Sequence, residues 1–237
     1  MRPIMKGLAA AFATCLVAGS AMASDLQLGI EAFAGLNSYR MRDLNEEVKG
    51  FNEGLGTDFK LIQRGIGQGV GLRVWAAPTW FVSAAVEPIY ALTESNLEGA
   101  DSTGLAFSSY VGLNLDAHSF QIGGGYVVPT ASRSIKLGLL GGIGYYRVHG
   151  KYKEVVVDTE EVVVQTGIKG SAVGVHAGVT IERSFNSKFA LALAALYRRA
   201  KVRNLRDDDG DKVDLTADYS GLISRIGVIW YPFEHEK

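Results

Sequence analysis

From about residue 25 onward, the chain alternates between apolar residues and small or polar residues with a period of two. In Gly65–Trp75, Ile66, Val70 and Val74 fall on one face and glycines dominate the other. Such alternation is typical of a β-strand whose two faces meet different surroundings. The pattern predicts eight strands, at roughly 25–36, 65–76, 79–92, 107–128, 135–150, 167–183, 188–203 and 215–231.

The fourth predicted strand contains a change of phase near Asp116–His118. The apolar residues up to Leu115 and those from Phe120 onward fall on opposite faces. Either a bulge or a turn would produce this change. A turn would give an odd number of strands, whereas bacterial single-chain barrels have even numbers. We therefore expect a bulge.

The predicted connections alternate between short and long. The short ones are 76–79, 129–134 and 184–188, and the long ones are 37–64, 93–106, about 151–166 and 204–214. Transmembrane barrels sort their connections in this way, with tight periplasmic turns and longer outer loops. The sequence therefore predicts an all-β fold, an eight-stranded antiparallel up-and-down transmembrane β-barrel.

One segment in the first long loop breaks the two-residue period. Apolar residues recur there at spacings of three and four, which predicts a short amphipathic helix. These residues are Met41, Leu44, Val48, Phe51 and Leu55. We expect this 41–55 helix to pack against the barrel mouth or inside the lumen, and a lid or plug that gates a passage is the alternative.

Residues 1–23 have the features of a cleaved signal peptide. Arg2 and Lys6 precede an apolar stretch, and Ala21 and Ala23 fit a signal-peptidase site. The prediction is export through the Sec pathway and one mature domain, 24–237. The single cysteine, Cys15, falls in the signal, which excludes disulfides from the mature chain. With 24 basic and 25 acidic residues in the whole chain, a nucleic-acid partner is not expected.

Three segments carry a resemblance to a known family. They are Gly71–Trp75 leading through a proline turn into Val86–Tyr90, the glycine-rich Leu137–Tyr146, and the closing Gly221–Phe233. In these the chain resembles the small outer-membrane β-barrels, the OmpA-like, OmpX-like and OmpW-like domains. The resemblance implies a bacterial outer-membrane location, contact with lipid and lipopolysaccharide, and insertion by the barrel-assembly machinery. That machinery reads a terminal phenylalanine, whereas residues 234–237 follow Phe233 here.

Several ionisable residues fall on the less apolar face of the predicted strands, which in a membrane barrel is the lumen. Both signs of charge are present, so a network of paired charges filling a narrow interior is expected. The predicted set is Glu31, Arg73, Glu87, Arg147, His176, Glu182 and Arg225. Glu87 lies mid-strand and needs a cationic partner, for which we consider Arg73 on the neighbouring strand.

Two charged clusters are predicted near the outer end of the barrel. The run 207–214 alternates aspartates around a glycine turn, so it is either a solvated hairpin or a weak calcium site. Its candidate ligands are Asp207, Asp209, Asp211 and Asp214. A basic run lies close by, and it either contacts lipopolysaccharide phosphates or balances this acidic loop. It comprises Arg198, Arg199, Lys201, Arg203 and Arg206.

No catalytic constellation is predicted. His118 and Ser119 are adjacent, but neighbouring strand residues point to opposite faces. We therefore expect neither an enzyme nor a cofactor, and an integral barrel with a structural or surface-interaction role. One alternative is a narrow channel or carrier for a small, possibly apolar, molecule. Another is a soluble periplasmic lipocalin-like binding barrel.

Overall fold

Strands make up most of the chain in the computed structural model, which describes residues 27–55, 58–100, 106–130, 132, 134–156 and 161–232. The predicted signal peptide and Phe233 lie outside these residues. The elements are β1 (Gln27–Ser38), α1 (Arg42–Leu55), β2 (Arg64–Ala77), β3 (Trp80–Ile89), β4 (Leu92–Ala100), β5 (Ala106–Val128), β6 (Ile135–Val156), β7 (Glu161–Ser184), β8 (Phe189–Arg199), β9 (Lys201–Val202), β10 (Ala217–Asp218) and β11 (Gly221–Trp230).

The long strands close into an antiparallel ring. The order is β1–β2–β3–β5–β6–β7–β8–β11, and β11 pairs again with β1 through matches such as Ile30↔Trp230 and Asn37↔Ile223. β4 continues β3 along the same edge of β5, so the ring has eight members. The predicted eight-stranded up-and-down barrel is confirmed.

The predicted bulge in the fourth strand is wrong. β5 keeps one register against β6, with Asp116↔His149 and His118↔Arg147 following in step. Instead, the strand before it is interrupted: β3 ends at Ile89 and β4 begins at Leu92. The pairing to β5 stays in step across that gap.

The change of phase in β5 has a different physical cause. Odd-numbered residues point inward along the strand, but their surroundings change halfway. Towards one end, Phe120 and Ile122 face outward and Gln121 faces inward. Towards the other end, Leu115 is buried inside, while the outward position 116 is polar. The strand therefore keeps its orientation along its whole length. Its apolar side chains lie on the outer face of the barrel in one half of the strand and on the inner face in the other half.

An apolar belt surrounds the ring on its outer face. On β7 it runs from Val173 to Ile181, and Val173 is 69% exposed. A membrane-spanning strand needs about nine to eleven residues, which this stretch matches. Apolar side chains so exposed are stable when lipid covers them. Within the described part of the chain, no helix is long and apolar enough to cross a membrane.

The two ends of the barrel differ. At the turn end, β2 and β3, β5 and β6, and β7 and β8 are joined by the short connections that were predicted. At the loop end, β4 to β7 extend beyond the belt. Much of the segments 93–106 and 151–166, which were predicted to be loops, is therefore strand. α1 and the segment 200–220, which includes β9 and β10, complete this end.

Candidate functional site

The lumen is filled in three layers. An apolar cluster closes the turn end, a network of charged and polar side chains occupies the middle, and a larger apolar cluster closes the loop end. The inward positions of the ring strands supply the first two layers, because every second residue of a strand points to the same side.

Aromatic side chains dominate the layer at the turn end. Its buried members are Trp75, Phe81, Val127, Ala190, Ala192, Ile229 and Tyr231. The rings of Trp75 and Phe81 lie 5.1 Å apart, and the indole N–H of Trp75 donates to the Tyr231 hydroxyl at 3.3 Å. Burial of this layer removes large apolar side chains from water and leaves their polar atoms bonded.

Arg73 is the centre of the first half of the polar network. Its guanidinium donates to Glu182 at 2.8 Å and to Glu31 at 3.0 Å, and it stacks 4.7 Å from the centre of the Phe81 ring. Lys136 lies 3.6 Å from the other Glu182 oxygen, which also accepts the Tyr231 hydroxyl at 2.8 Å. Two cations are thus balanced by two carboxylates.

Glu87 is the centre of the second half. Its carboxylate is bound by Arg225, by the Gln121 amide at 2.8 Å and by the Asn37 amide at 3.3 Å. The pairing with Arg73 that we considered from the sequence is therefore wrong. Register explains this, because Val86 lies opposite Val70 on β2, so Glu87 sits several residues along the barrel from Arg73.

Arg147 was predicted to face the lumen but is exposed on the outer face. It lies beyond the apolar belt, where the outer surface is polar and the inner surface apolar, so the less apolar face there is the outside. The other six predicted residues, Glu31, Arg73, Glu87, His176, Glu182 and Arg225, do point inward.

Arg198 shows the converse error. It was placed in the outer basic run, yet its side chain is fully buried inside the barrel. Its Nε donates to the Tyr219 carbonyl at 2.9 Å, and its guanidinium lies 5.6 Å from the Tyr146 ring and 6.0 Å from the Tyr39 ring. Aromatic faces stabilise the cation here. Strand parity indicates the position, since Arg198 shares the inward face with Leu196.

Helix α1 packs across the mouth of the barrel. Met41 and Leu44 belong to the apolar cluster at the loop end, together with Ile89, Leu115 and Tyr219. Met41 precedes the helix at φ 36°, a conformation that side chains rarely adopt, and its amide donates to the Asp218 carbonyl at 3.1 Å. Its complete burial holds it there. The first expectation for the helix, packing against the mouth, is the one observed.

Little space remains inside the polar layer. A cavity of about 50 Å³ lies among Glu31, Arg73, Gln121, His176 and Arg225. That volume suits a few water molecules. The two neighbouring layers are buried and apolar, so apolar side chains lie between this cavity and each end of the barrel.

The aspartate run does not assemble the calcium site that its spacing suggested. Among the described residues, no three acidic, histidine or cysteine side chains form a group that would hold a metal ion. Asp207 instead accepts the Asp211 amide at 2.8 Å, which closes a tight turn with Gly210 at φ 90°. Asp208 bonds Lys169 on β7 at 2.6 Å and the Gly167 amide at 2.7 Å. These bonds hold the pKa of the Asp208 carboxyl below its usual value.

His118 and Ser119 point to opposite faces of β5. Ser119 is buried and donates to the Glu87 carbonyl at 3.1 Å. His118 is exposed on the outside, with its ring 6.1 Å from that of His149. The pair does not share one site.

No protein-family model matches the chain, and no curated protein matches it. Solved structures do. The outer membrane protein OprG from Pseudomonas aeruginosa is 11% identical, with 89% of this chain and 96% of that one covered and a TM-score of 0.48. A major outer membrane protein from Thermus thermophilus is 13% identical over 86% and 98% of the two chains, with a TM-score of 0.46.

A third similar structure is the N-terminal β-barrel domain of Pseudomonas aeruginosa OprF. It is 10% identical, with 87% of this chain and 98% of that one covered and a TM-score of 0.40. These three solved structures are small outer-membrane β-barrel proteins, the group that the sequence resembles.

Proposed function

We propose that this protein is a non-conducting outer-membrane barrel that acts at the cell surface through its loop end and catalyses no reaction. The proposed orientation places the short turns in the periplasm. It places α1, the 200–220 segment and the extended strands outside the cell. The observation that supports a closed barrel most strongly is the filling of the lumen by three continuous layers.

The middle layer would resist ion passage for a physical reason. Arg73, Glu182, Glu87 and Arg225 are bonded to one another or to buried amides, so an entering ion would have to displace a formed ion pair. It would also have to pass buried aromatic and aliphatic layers that give it no ligand. A channel or carrier through the barrel axis is the less favoured function.

Planar-bilayer recording tests this proposal. The purified, folded barrel is expected to insert without producing stable single-channel steps in 1 M KCl. An open porin with more strands, recorded in the same bilayers, controls for detection. Reproducible unitary steps from the wild-type protein would contradict the closed lumen.

A specific feature also favours contact with lipopolysaccharide. A groove of about 420 Å³ lies on the outer wall at the loop-end edge of the apolar belt, and Ser171, Val175, Arg199 and Arg203 line it. Arg147 stands across the β6–β7 ladder from Ser171. Exposed guanidiniums at this height would meet the phosphates of an outer-leaflet glycolipid and bind them in a bidentate manner.

The double variant Arg199→Gln with Arg203→Gln tests this contact. Each cation near an anionic membrane surface contributes about 1 kcal/mol, so the variant should lose much of the thermal stabilisation that lipopolysaccharide gives the wild type. The matched control is Arg183→Gln with Lys188→Gln, which removes two charges at the turn end. Equal stabilisation of all three proteins would refute the contact.

A further inference from the structure

A second, larger cavity lies at the loop end, beyond the polar layer of the lumen. It is a cleft of about 640 Å³ between α1 and the inner face of the extended strands. Leu44 and Val48 line it from the helix, while Val111, Tyr152 and Ile168 line it from β5, β6 and β7. Its volume falls within the range of pockets that bind small molecules, about 300 to 1,000 Å³.

The side chains that form the walls of the cleft are held in place by packing and hydrogen bonds within the protein. Val48, Phe59 and Val111 pack together as a buried cluster on one side. Asn52 on the helix fixes Phe59, because the Asn52 side chain accepts the Phe59 amide at 2.9 Å and donates to its carbonyl at 3.0 Å. Leu44 belongs also to the apolar cluster that closes the barrel, so that cluster forms the floor.

The charged side chains that line this apolar cleft are all acidic. Glu47 on α1 and Asp207 and Asp214 on the facing loop contribute carboxylates to the lining. None of the described residues that line the cleft is a lysine, arginine or histidine. Lys212 stands 4.0 Å from Asp214, but both side chains are exposed to solvent, where such a pair is weak.

We propose that the cleft binds an amphipathic cation, a molecule with a compact apolar body and a protonated amine. The body would displace water from the leucine, valine and phenylalanine side chains, and the ammonium group would lie at the rim near Glu47 and Asp214. An anionic ligand of the same shape would meet three carboxylates. The site is separate from the lumen, so it does not depend on whether the barrel conducts.

Three probes with the same adamantane cage test the proposal: 1-adamantanamine, 1-adamantanol and adamantane-1-carboxylate. Binding is measured by calorimetry to the full chain in zwitterionic lipid nanodiscs, and the heat from empty nanodiscs is subtracted. The amine should bind saturably and most tightly, and the carboxylate most weakly. Exposed ion pairs are individually weak, so two carboxylates should favour the amine over the alcohol by about twofold to thirtyfold.

The double variant Glu47→Gln with Asp214→Asn should abolish this preference while leaving adamantanol binding unchanged. Both residues are exposed, so the fold should be kept. The matched control, Glu53→Gln with Asp209→Asn, removes two exposed carboxylates that do not line the cleft and should keep the preference. Val213→Trp places a bulky side chain in the cleft and should weaken the binding of all probes.

Three results would overturn the proposal. The first is that the amine shows no saturable binding, and the second is that the carboxylate binds as tightly as the amine. The third is that the preference for the amine over the alcohol survives the loss of Glu47 and Asp214, or is lost equally in the control variant. Conductance is recorded separately, so a conducting barrel that binds the amine would refute the closed lumen without affecting the cleft.

Discussion

Replacing Arg225 with methionine should destabilise the barrel far more than loss of an ordinary surface charge. Glu87 is 1% exposed, and Arg225 is its one cationic partner among the described residues. Methionine keeps a side chain of similar length but no charge. It leaves the Glu87 carboxylate buried with only the Gln121 and Asn37 amides. Removing one member of a buried pair costs about 3 to 5 kcal/mol, because the remaining charge is desolvated without compensation.

Unfolding in urea measures this cost. The barrel is equilibrated in lipid vesicles at increasing urea concentrations. The folded fraction is measured from the band of folded protein, which migrates differently from the unfolded band on a gel of unboiled samples, and from tryptophan fluorescence. The double variant Arg225→Met with Glu87→Met removes both charges. A buried pair replaced by apolar residues is often close to neutral in stability, so the double variant should recover most of what the single variant lost. The coupling between the two sites is then directly obtained.

The ion pair Arg42–Glu46 on α1 is the matched control. Its N–O distance is 2.8 Å, but the two side chains are 81% and 60% exposed. Arg42→Met should therefore leave the stability almost unchanged. An Arg225 variant that costs as little as the Arg42 variant, or a double variant that is less stable than either single one, would refute the argument that burial makes Glu87 dependent on its partner.

Two further predictions concern the loop end and the turn end. The pKa of Asp208 is depressed, so its bond to Lys169 stabilises the loop above about pH 4, the usual aspartate value, and is lost as the pH falls through the lower folded-state pKa. Asp208→Asn should therefore lower the amide protection factors of 204–214 at neutral pH, corrected for the intrinsic exchange rate, to values that the wild type should reach only in acid. Equal protection factors in the two proteins at neutral pH would contradict this. A methyl group at Gly125 would overlap the Phe81 ring, whereas one at Gly124 would lie 3.4 Å from the nearest atom. In urea unfolding, Gly125→Ala should therefore lower the free energy of unfolding by about 1 to 3 kcal/mol, and Gly124→Ala should leave it almost unchanged. Similar losses in the two variants would show that the aromatic layer moves to accommodate the methyl group.

The number of strands and the filled lumen could be predicted because a strand repeats every two residues. That period places Glu31, Arg73, Glu182 and Arg225 on the inward side without any knowledge of their partners. Which carboxylate meets which cation could not be predicted. Pairing depends on the stagger between strands, which set Glu87 beside Arg225 on β11 instead of Arg73 on β2.

The errors at Arg147 and Arg198 have different causes. The prediction for Arg147 assumes that the less apolar face of a strand is the inner face along its whole length. The prediction for Arg198 groups it with the neighbouring basic residues on the outside, without regard to strand parity. Arg147 lies beyond the belt, and its outward position agrees with the parity of Ile143 and Tyr145. Arg198 lies inside, on the parity of Leu196. The alternation of inward and outward side chains is set by the backbone and continues along the whole strand. The polarity of each face depends on what surrounds it and changes where lipid gives way to water.

This exchange of environments also explains why the larger cavity lies at the loop end while the middle of the lumen is nearly filled. Within the belt, lipid covers the outer wall, so the inward side chains are polar and pair with one another until little space is left. Beyond the belt, water covers the outer wall and the apolar side chains of β5, β6 and β7 turn to the inside. Eight strands enclose an interior just wide enough for side chains to fill, but only some of the ring strands extend beyond the belt at the loop end. The extended wall therefore presents an apolar inner face that α1 covers incompletely, and the uncovered part is the cleft.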